Sequence, residues 1–169
     1  MYDLCFDLGT GTGAVFRNAS PSGGFRVGID SSREVLGHFD RACGQPVLCP
    51  VEHVSRAFRS GCADLVVANP PYFRIGCGRR SPDLHRDRAR TGDSLLLYRF
   101  IFAGAYLLKP GGVMILTVRE EGVEGACTGF RAGGFPDPVV VRSRGVFAVR
   151  GLLGDPFDPE NRSGEIGGV

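Results

Sequence analysis

The residues best suited to chemistry are Asn69-Pro70-Pro71-Tyr72. They follow Asp64-Leu65-Val66-Val67-Ala68, a short, apolar, β-branched run that reads as a buried parallel strand. Neither proline can continue a strand ladder, because each lacks an N–H and has its φ fixed. The chain therefore leaves the sheet abruptly at its carboxyl edge, where open α/β sheets place their ligands. An amide, a rigid carbonyl and an aromatic ring side by side suit a flat base with an exocyclic amino group. The amide oxygen of Asn69 and the carbonyl of Pro70 can accept the two amino hydrogens, while Tyr72 stacks on the ring. The same four residues also suit a plain proline turn with a buried Asn tying down the loop, so the rest of the chain has to decide.

Two further groups fall at strand ends. Asp7-Leu8-Gly9-Thr10-Gly11-Thr12-Gly13-Ala14 is a glycine-rich turn in which Gly9, Gly11 and Gly13 let the backbone approach a ligand at positive φ. Gly9-x-Gly11-x-x-Ala14 also fits the dinucleotide fingerprint, so the turn alone does not choose between a nicotinamide cofactor and S-adenosylmethionine. Asp30 closes the second strand about twenty residues on, the position that hydrogen-bonds ribose hydroxyls in nucleoside-binding α/β folds. A helix-capping or surface acid is its other reading.

The elements that must position these groups alternate. Strands are expected at 2–7, 25–29, 46–49 (weak), 64–68 and 113–118, with helices from about 14, over 33–42 with a Ser31 or Ser32 cap, over 51–59, and from an Asp93 cap to about 108. Beyond Arg119 the pattern degrades into an expected helix over 120–130 and a pair of strands at 139–142 and 147–153. This is an α/β chain: a Rossmann-like, doubly wound, mainly parallel sheet with helices on both faces. A single domain over 1–153 and a disordered tail over 154–169 are expected, the tail being rich in Gly, Pro, Asp and Asn. Residues 73–92 form a long polar connection carrying Arg74, Arg79, Arg80, Arg86, Arg88 and Arg90; a connection of this length inside a domain is usually functional.

Composition narrows the partners. The net charge is only +2, so affinity for nucleic acid must come from a local patch, and Lys109 is the only lysine among 20 cations. Arginine suits bidentate phosphate contacts, although genomic base composition explains the bias equally well. The six cysteines show no Cys-x-x-Cys pair and no histidine at zinc spacing, which points to reduced, packed thiols in a cytoplasmic protein and to no metal site. No signal peptide is read, and no apolar run is long enough to cross a membrane.

Taken together, 7–13, 27–30, 64–73, 76–90 and Leu107-Leu108-Lys109-Pro110-Gly111-Gly112 resemble the class I S-adenosylmethionine-dependent methyltransferases over about residues 3–120. More narrowly, the Asn-Pro-Pro-Tyr motif resembles the N6-adenine type, and most of all the valine-tRNA adenine-N6 methyltransferases. The resemblance implies S-adenosyl-L-methionine as cofactor and RNA, especially tRNA, as partner. It implies that Gly9, Gly11 and Gly13 line the methionine and ribose part of the cofactor, that Asp7 orients its amino acid end through water, and that Asp30 holds the ribose hydroxyls. Asn69 and Pro70 would hold the target amino group and Tyr72 would stack on the adenine. Pro71 and Phe73 would extend that wall, and Arg74, Arg79 and Arg80 would meet the RNA backbone.

The chain departs from the family where an acid is expected after the third strand: Pro50 stands there, with Glu52 two residues on as a substitute or a helix N-terminal acid. Thr91-Gly92 replaces the family's His-Glu, and the N-terminal substrate-binding segment is expected to be missing. The alternatives are methylation of a protein glutamine, which offers the same NH2, and a non-catalytic Rossmann-like fragment that binds RNA or a partner. A nicotinamide-dependent oxidoreductase comes third.

Overall fold

The computed structural model describes residues 2–18, 24–70, 94–143 and 145–154. Seven strands form one sheet: β1 (Leu4–Leu8), β2 (Phe25–Asp30), β3 (Gln45–Leu48), β4 (Ala63–Ala68), β5 (Leu108–Val118), β6 (Val139–Ser143) and β7 (Val146–Leu152). Their spatial order is β3-β2-β1-β4-β5-β7-β6. The first five run parallel, and β7 runs antiparallel to both β5 and β6. The order reverses beside β1, so a crevice opens between the carboxyl ends of β1 and β4, where doubly wound sheets take their ligands. The helices are α1 (Ala14–Asn18), α2 (Arg33–Leu36), α3 (Val54–Ala57, after a 3-10 turn at Val51–His53), α4 (Ser94–Leu107) and α5 (Val123–Ala132, after a 3-10 turn at Glu120–Gly122).

One face of the sheet carries most of the core. Phe6, Leu8, Val66, Met114 and Leu116 pack there against Val54 of α3, Ile101 and Leu107 of α4, and Phe130 of α5. A Cβ on Gly104 would lie 2.6 Å from the Sδ of Met114, so the missing side chain is what lets α4 lie close on the sheet. The opposite face has a smaller cluster, in which Phe16 of α1 packs with Cys5, Cys43, Leu65 and Val113.

Several expected boundaries shift. The second helix stops at Leu36 rather than Ala42: Gly37 is its C-cap, and tighter turns follow, in which the N–H groups of His38 and Phe39 donate to the carbonyls of Val35 and Leu36. Phe39 is then free to sit over Gly28, where a Cβ would come within 2.7 Å of its ring. The helix expected over 51–59 is a 3-10 turn plus one α turn: Phe58 is extended and sets its ring edge-on to Phe6, 5.0 Å between centroids. The fifth strand begins at Leu108, five residues before the expected 113, with its register to β4 shifting between Ala63 and Leu65. Gly111 at φ 75° keeps Pro110-Gly111-Gly112 within the strand, and Gly111 and Gly112 exchange hydrogen bonds with Leu153. The expected tail lies outside the described residues from 155 onward.

At the amino edge, Asp64 fastens the sheet. Its Oδ2 accepts the N–H groups of Asp3 and Leu4 at 2.9 Å each, and its Oδ1 meets Nζ of Lys109 at 2.8 Å. The Lys109 ammonium and these backbone donors hold the Asp64 carboxyl below its ordinary range, with partial burial opposing them.

Candidate functional site at the carboxyl edge of the sheet

Strand register brings the separate residues to one face. Asp7 pairs with Gly28 and with Val67, and Val67 pairs with Ile115. Side chains alternate between faces along a strand. Two residues on from Gly28, Val67 and Ile115 come Asp30, Asn69 and Thr117, on the same face as Asp7. The glycine turn leads from this edge into α1.

The turn is built from the carbonyl and carboxylate of β2. The N–H groups of Gly9 and Thr10 both donate to the carbonyl of Ile29, at 2.8 and 2.9 Å. Gly11 donates its N–H to Asp30 Oδ2 at 3.0 Å, and Ser32 donates to Asp30 Oδ1 at 2.9 Å. Gly9, Gly11 and Gly13 have φ of 70°, 58° and 83°, a path that only glycine follows without strain. A Cβ on Gly13 would meet the Phe39 ring at 2.9 Å, whereas at Gly11, among the described residues, it would meet only Val35, at 3.9 Å. Among the described residues, then, the backbone at Gly11 is open to a visitor.

Asp7 is fully buried beneath the turn. Its Oδ2 accepts from the Thr10 hydroxyl at 2.7 Å, and Oδ1 has no hydrogen-bond partner among the described residues. Burial pushes its carboxyl up from 3.8 to about 7; the Thr10 hydrogen bond pulls it down, and the Asp30 charge adds a further push. Near neutrality this acid is divided between its neutral and ionised forms.

Asn69 follows the last residue of β4, and its side chain is exposed at the rim while Pro70 is buried. Asn69 is therefore not buried, as the turn reading had it. The hydroxyl of Thr117 donates to Asn69 Oδ1 at 2.6 Å. Pro71, Tyr72, Phe73, Arg74, Arg79 and Arg80 lie outside the described residues. At the place of the absent acid, Pro50 precedes the 3-10 turn, and Cys49 donates its N–H to the Asp30 carbonyl at 2.9 Å. Glu52 is engaged on the surface with Arg99 at 3.2 Å.

Sequence reading missed Thr10 and Thr117. Thr10 is the hydroxyl residue between two turn glycines and is buried against Asp7. Thr117 is the polar interruption in Val113-Met114-Ile115-Leu116-Thr117-Val118, a signal that was present but that has no meaning until β5 is known to lie beside β4. Burial raises the thiols of Cys5, Cys49 and Cys62, which leaves them poor nucleophiles. Among the described residues no three His, Cys, Asp or Glu side chains group to hold a metal, and no helix is long and apolar enough to cross a membrane.

No protein-family model and no curated protein matches the chain. Solved structures do. The T. thermophilus 16S rRNA N2 G1207 methyltransferase RsmC, in complex with AdoMet and guanosine, aligns with a TM-score of 0.66 at 19% identity, over 90% of this chain and 35% of its own length. An S-adenosylmethionine-dependent methyltransferase from Clostridium acetobutylicum aligns with a TM-score of 0.65 at 14% identity, over 92% of this chain and 85% of its own. Ribosomal protein L11 methylase from Lactobacillus delbrueckii subsp. bulgaricus follows with a TM-score of 0.64 at 15% identity, over 90% of this chain and 70% of its own. The chain thus spans about a third of the length of the first of these proteins. Its sheet order, its antiparallel seventh strand and its flanking helices are those of the class I methyltransferase fold.

Proposed function

We propose that the chain is an S-adenosylmethionine-dependent methyltransferase acting on the exocyclic N6 amino group of adenine in RNA, with tRNA as the substrate class. The observation that carries the reading is the exposed Asn69 amide at the carboxyl end of β4, on the same sheet face as the glycine turn and Asp30. The structural neighbours that methylate rRNA and a ribosomal protein are consistent with it.

The residues present fit the cofactor. The backbone at Gly11 leaves room for a ligand. Asp30 gives one hydrogen bond's worth of acceptance at each oxygen to Gly11 and Ser32, and a carboxylate has about four lone-pair sites, so it can also take ribose hydroxyls. Asp7, with one buried oxygen unpartnered, would attract the cationic methionine end from beneath the turn. Bound there, S-adenosylmethionine supplies a methyl group on a sulfonium, already a good electrophile.

The chain's own residues then have to prepare the nucleophile. An aryl amino nitrogen delocalises its lone pair into the ring. Acceptance of its two hydrogens by Asn69 Oδ1 and the Pro70 carbonyl favours a pyramidal nitrogen and aims the lone pair at the methyl carbon. In such a transfer the nitrogen–carbon bond would form as the carbon–sulfur bond broke, and the surplus proton would leave afterwards from a far more acidic ammonium, so no strong base would be needed. Orientation of this kind supplies up to about 7–11 kcal/mol, and stacking on Tyr72 adds roughly 1–3 kcal/mol of base binding. The base must be unpaired to reach the site, which favours an RNA loop. The arginines of 74–90 would bind its backbone, and this affinity should weaken steeply with salt.

Incubation of bulk tRNA with the protein and the methyl donor, followed by nucleoside mass spectrometry, should reveal N6-methyladenosine. Asn69→Ala should lower the yield by at least about a hundredfold while leaving methyl-donor binding nearly intact. Full turnover by that variant would remove Asn69 from the mechanism. Label entering only a glutamine-bearing peptide would shift the substrate to protein, and calorimetry without detectable donor binding would favour the non-catalytic fragment.

A further inference from the structure

We infer that Thr10 is a positioning residue: its hydroxyl holds the buried Asp7 carboxyl in the charged form, so that the turn above it attracts a cationic ligand at neutral pH; the inference rests on the methyltransferase reading above. A carboxyl taken out of water sheds its charge unless something donates to it. Asp7 is fully buried, and its Oδ1 has no hydrogen-bond partner among the described residues. Its charge therefore depends on what reaches Oδ2.

Thr10 is what reaches it. Its hydroxyl donates to Oδ2 at 2.7 Å, and the residue is only 5% exposed, so water does not compete for the bond. Its surroundings leave the hydroxyl little choice of direction. The Thr10 N–H is pinned to the Ile29 carbonyl at 2.9 Å, and Gly28 lies so near that a Cβ there would come within 2.8 Å of both Cγ2 and Oγ1. Threonine is also stiff at χ1. Thr12, the other threonine of the turn, is exposed and accepts from Arg17 at 3.5 Å instead. Among the described residues, Asp30 of β2 is the charged group that bears on Asp7, and as a like charge it sides with burial. Arg17 of α1, Arg26 of β2 and Asp64 of β4 act on the thiols of Cys43 and Cys5 instead. The Thr10 bond is the influence that opposes burial and brings the carboxyl to about 7; without it the acid would stay protonated at neutral pH. The hydroxyl thus tunes a charge that the ligand feels, without touching the ligand.

The test compares Thr10→Val, which keeps shape and removes the hydroxyl, with Thr10→Ser, which restores it, each in the native and in the Asp7→Asn background; Thr10→Ala replaces Thr10→Val should the latter not fold. Titration of the Asp7 carboxyl carbon by NMR, its resonance identified by its loss in Asp7→Asn, should place the midpoint of Thr10→Val about one to two units above the native one. Thr10→Ser should titrate close to native. Calorimetry with S-adenosylmethionine at pH 7 should show Thr10→Val binding roughly five- to fiftyfold more weakly than native, with Thr10→Ser recovering most of the loss. In the Asp7→Asn background Thr10→Val should make no difference, because the hydroxyl then has no charge to hold. A native midpoint in Thr10→Val, or the same loss of affinity with and without the Asp7 carboxyl, would overturn the inference, since a side chain that only packs the turn acts in both backgrounds. If the native protein binds no S-adenosylmethionine, the proposed function fails, and the titration alone decides: equal midpoints overturn the role of Thr10, and a raised midpoint in Thr10→Val restored by Thr10→Ser sustains it.

Discussion

Asp7 is the residue whose protonation the structure makes consequential. Its carboxyl is raised from 3.8 to about 7, so between these values the folded protein holds a proton that the unfolded chain has released. Its contribution to stability is full below the unfolded value and is lost as pH rises through about 7. A rise of about three units bounds the effect at ~4 kcal/mol. Thermal melts from pH 4 to 8 should show native stability falling along this course and Asp7→Asn flattening it; parallel curves would mean that another group titrates. Binding of a cationic ligand above the turn would work in the opposite direction, since it favours the ionised carboxyl. Under the proposed function, affinity for S-adenosylmethionine should therefore rise with pH across 7 in the native protein. The value could not be read from the sequence, which shows an acid ahead of glycines but not the burial that lifts it.

Among the elements, the bend between β1 and α1 depends on β2 lacking a side chain at its middle. A Cβ on Gly28 would come 2.7 Å from the Phe39 ring and 2.8 Å from both Cγ2 and Oγ1 of Thr10. Gly28→Ala should therefore destabilise the fold by about 1–3 kcal/mol and weaken donor binding, because Thr10 and the turn must move; a melt and a titration matching the native protein would contradict the packing described. The strands with apolar, β-branched runs were legible because that pattern survives without context. The helices 33–42 and 51–59 were overextended: α2 gives way to tighter turns from Gly37, a poor helix former, and Phe58 turns extended against Phe6. Of the candidate site, the places of Asp7, the glycines, Asp30 and Asn69 at or just past strand ends were legible, because each follows an apolar run. Thr117 was not, because its significance comes from a neighbour 48 positions away.

For the molecule as a whole, the sheet ends unevenly. β3 closes one side, and β6 closes the other with Val139, Val140 and Val141 exposed at 53%, 40% and 54%. A hydrophobic edge of this kind invites pairing between chains, and a charge on it discourages that. Val141→Lys should raise the temperature at which scattering begins on heating while leaving the unfolding midpoint nearly unchanged; unaltered scattering would place the aggregation seed elsewhere.

The Asp64–Lys109 pair lies at the start of β4 and β5, and the crevice lies past their far ends. Since the chain contains a single lysine, coupling to a solid support through side-chain amines has only one point of attachment. A molecule grafted in this way would stand upright on its floor, its crevice turned outward to the solution.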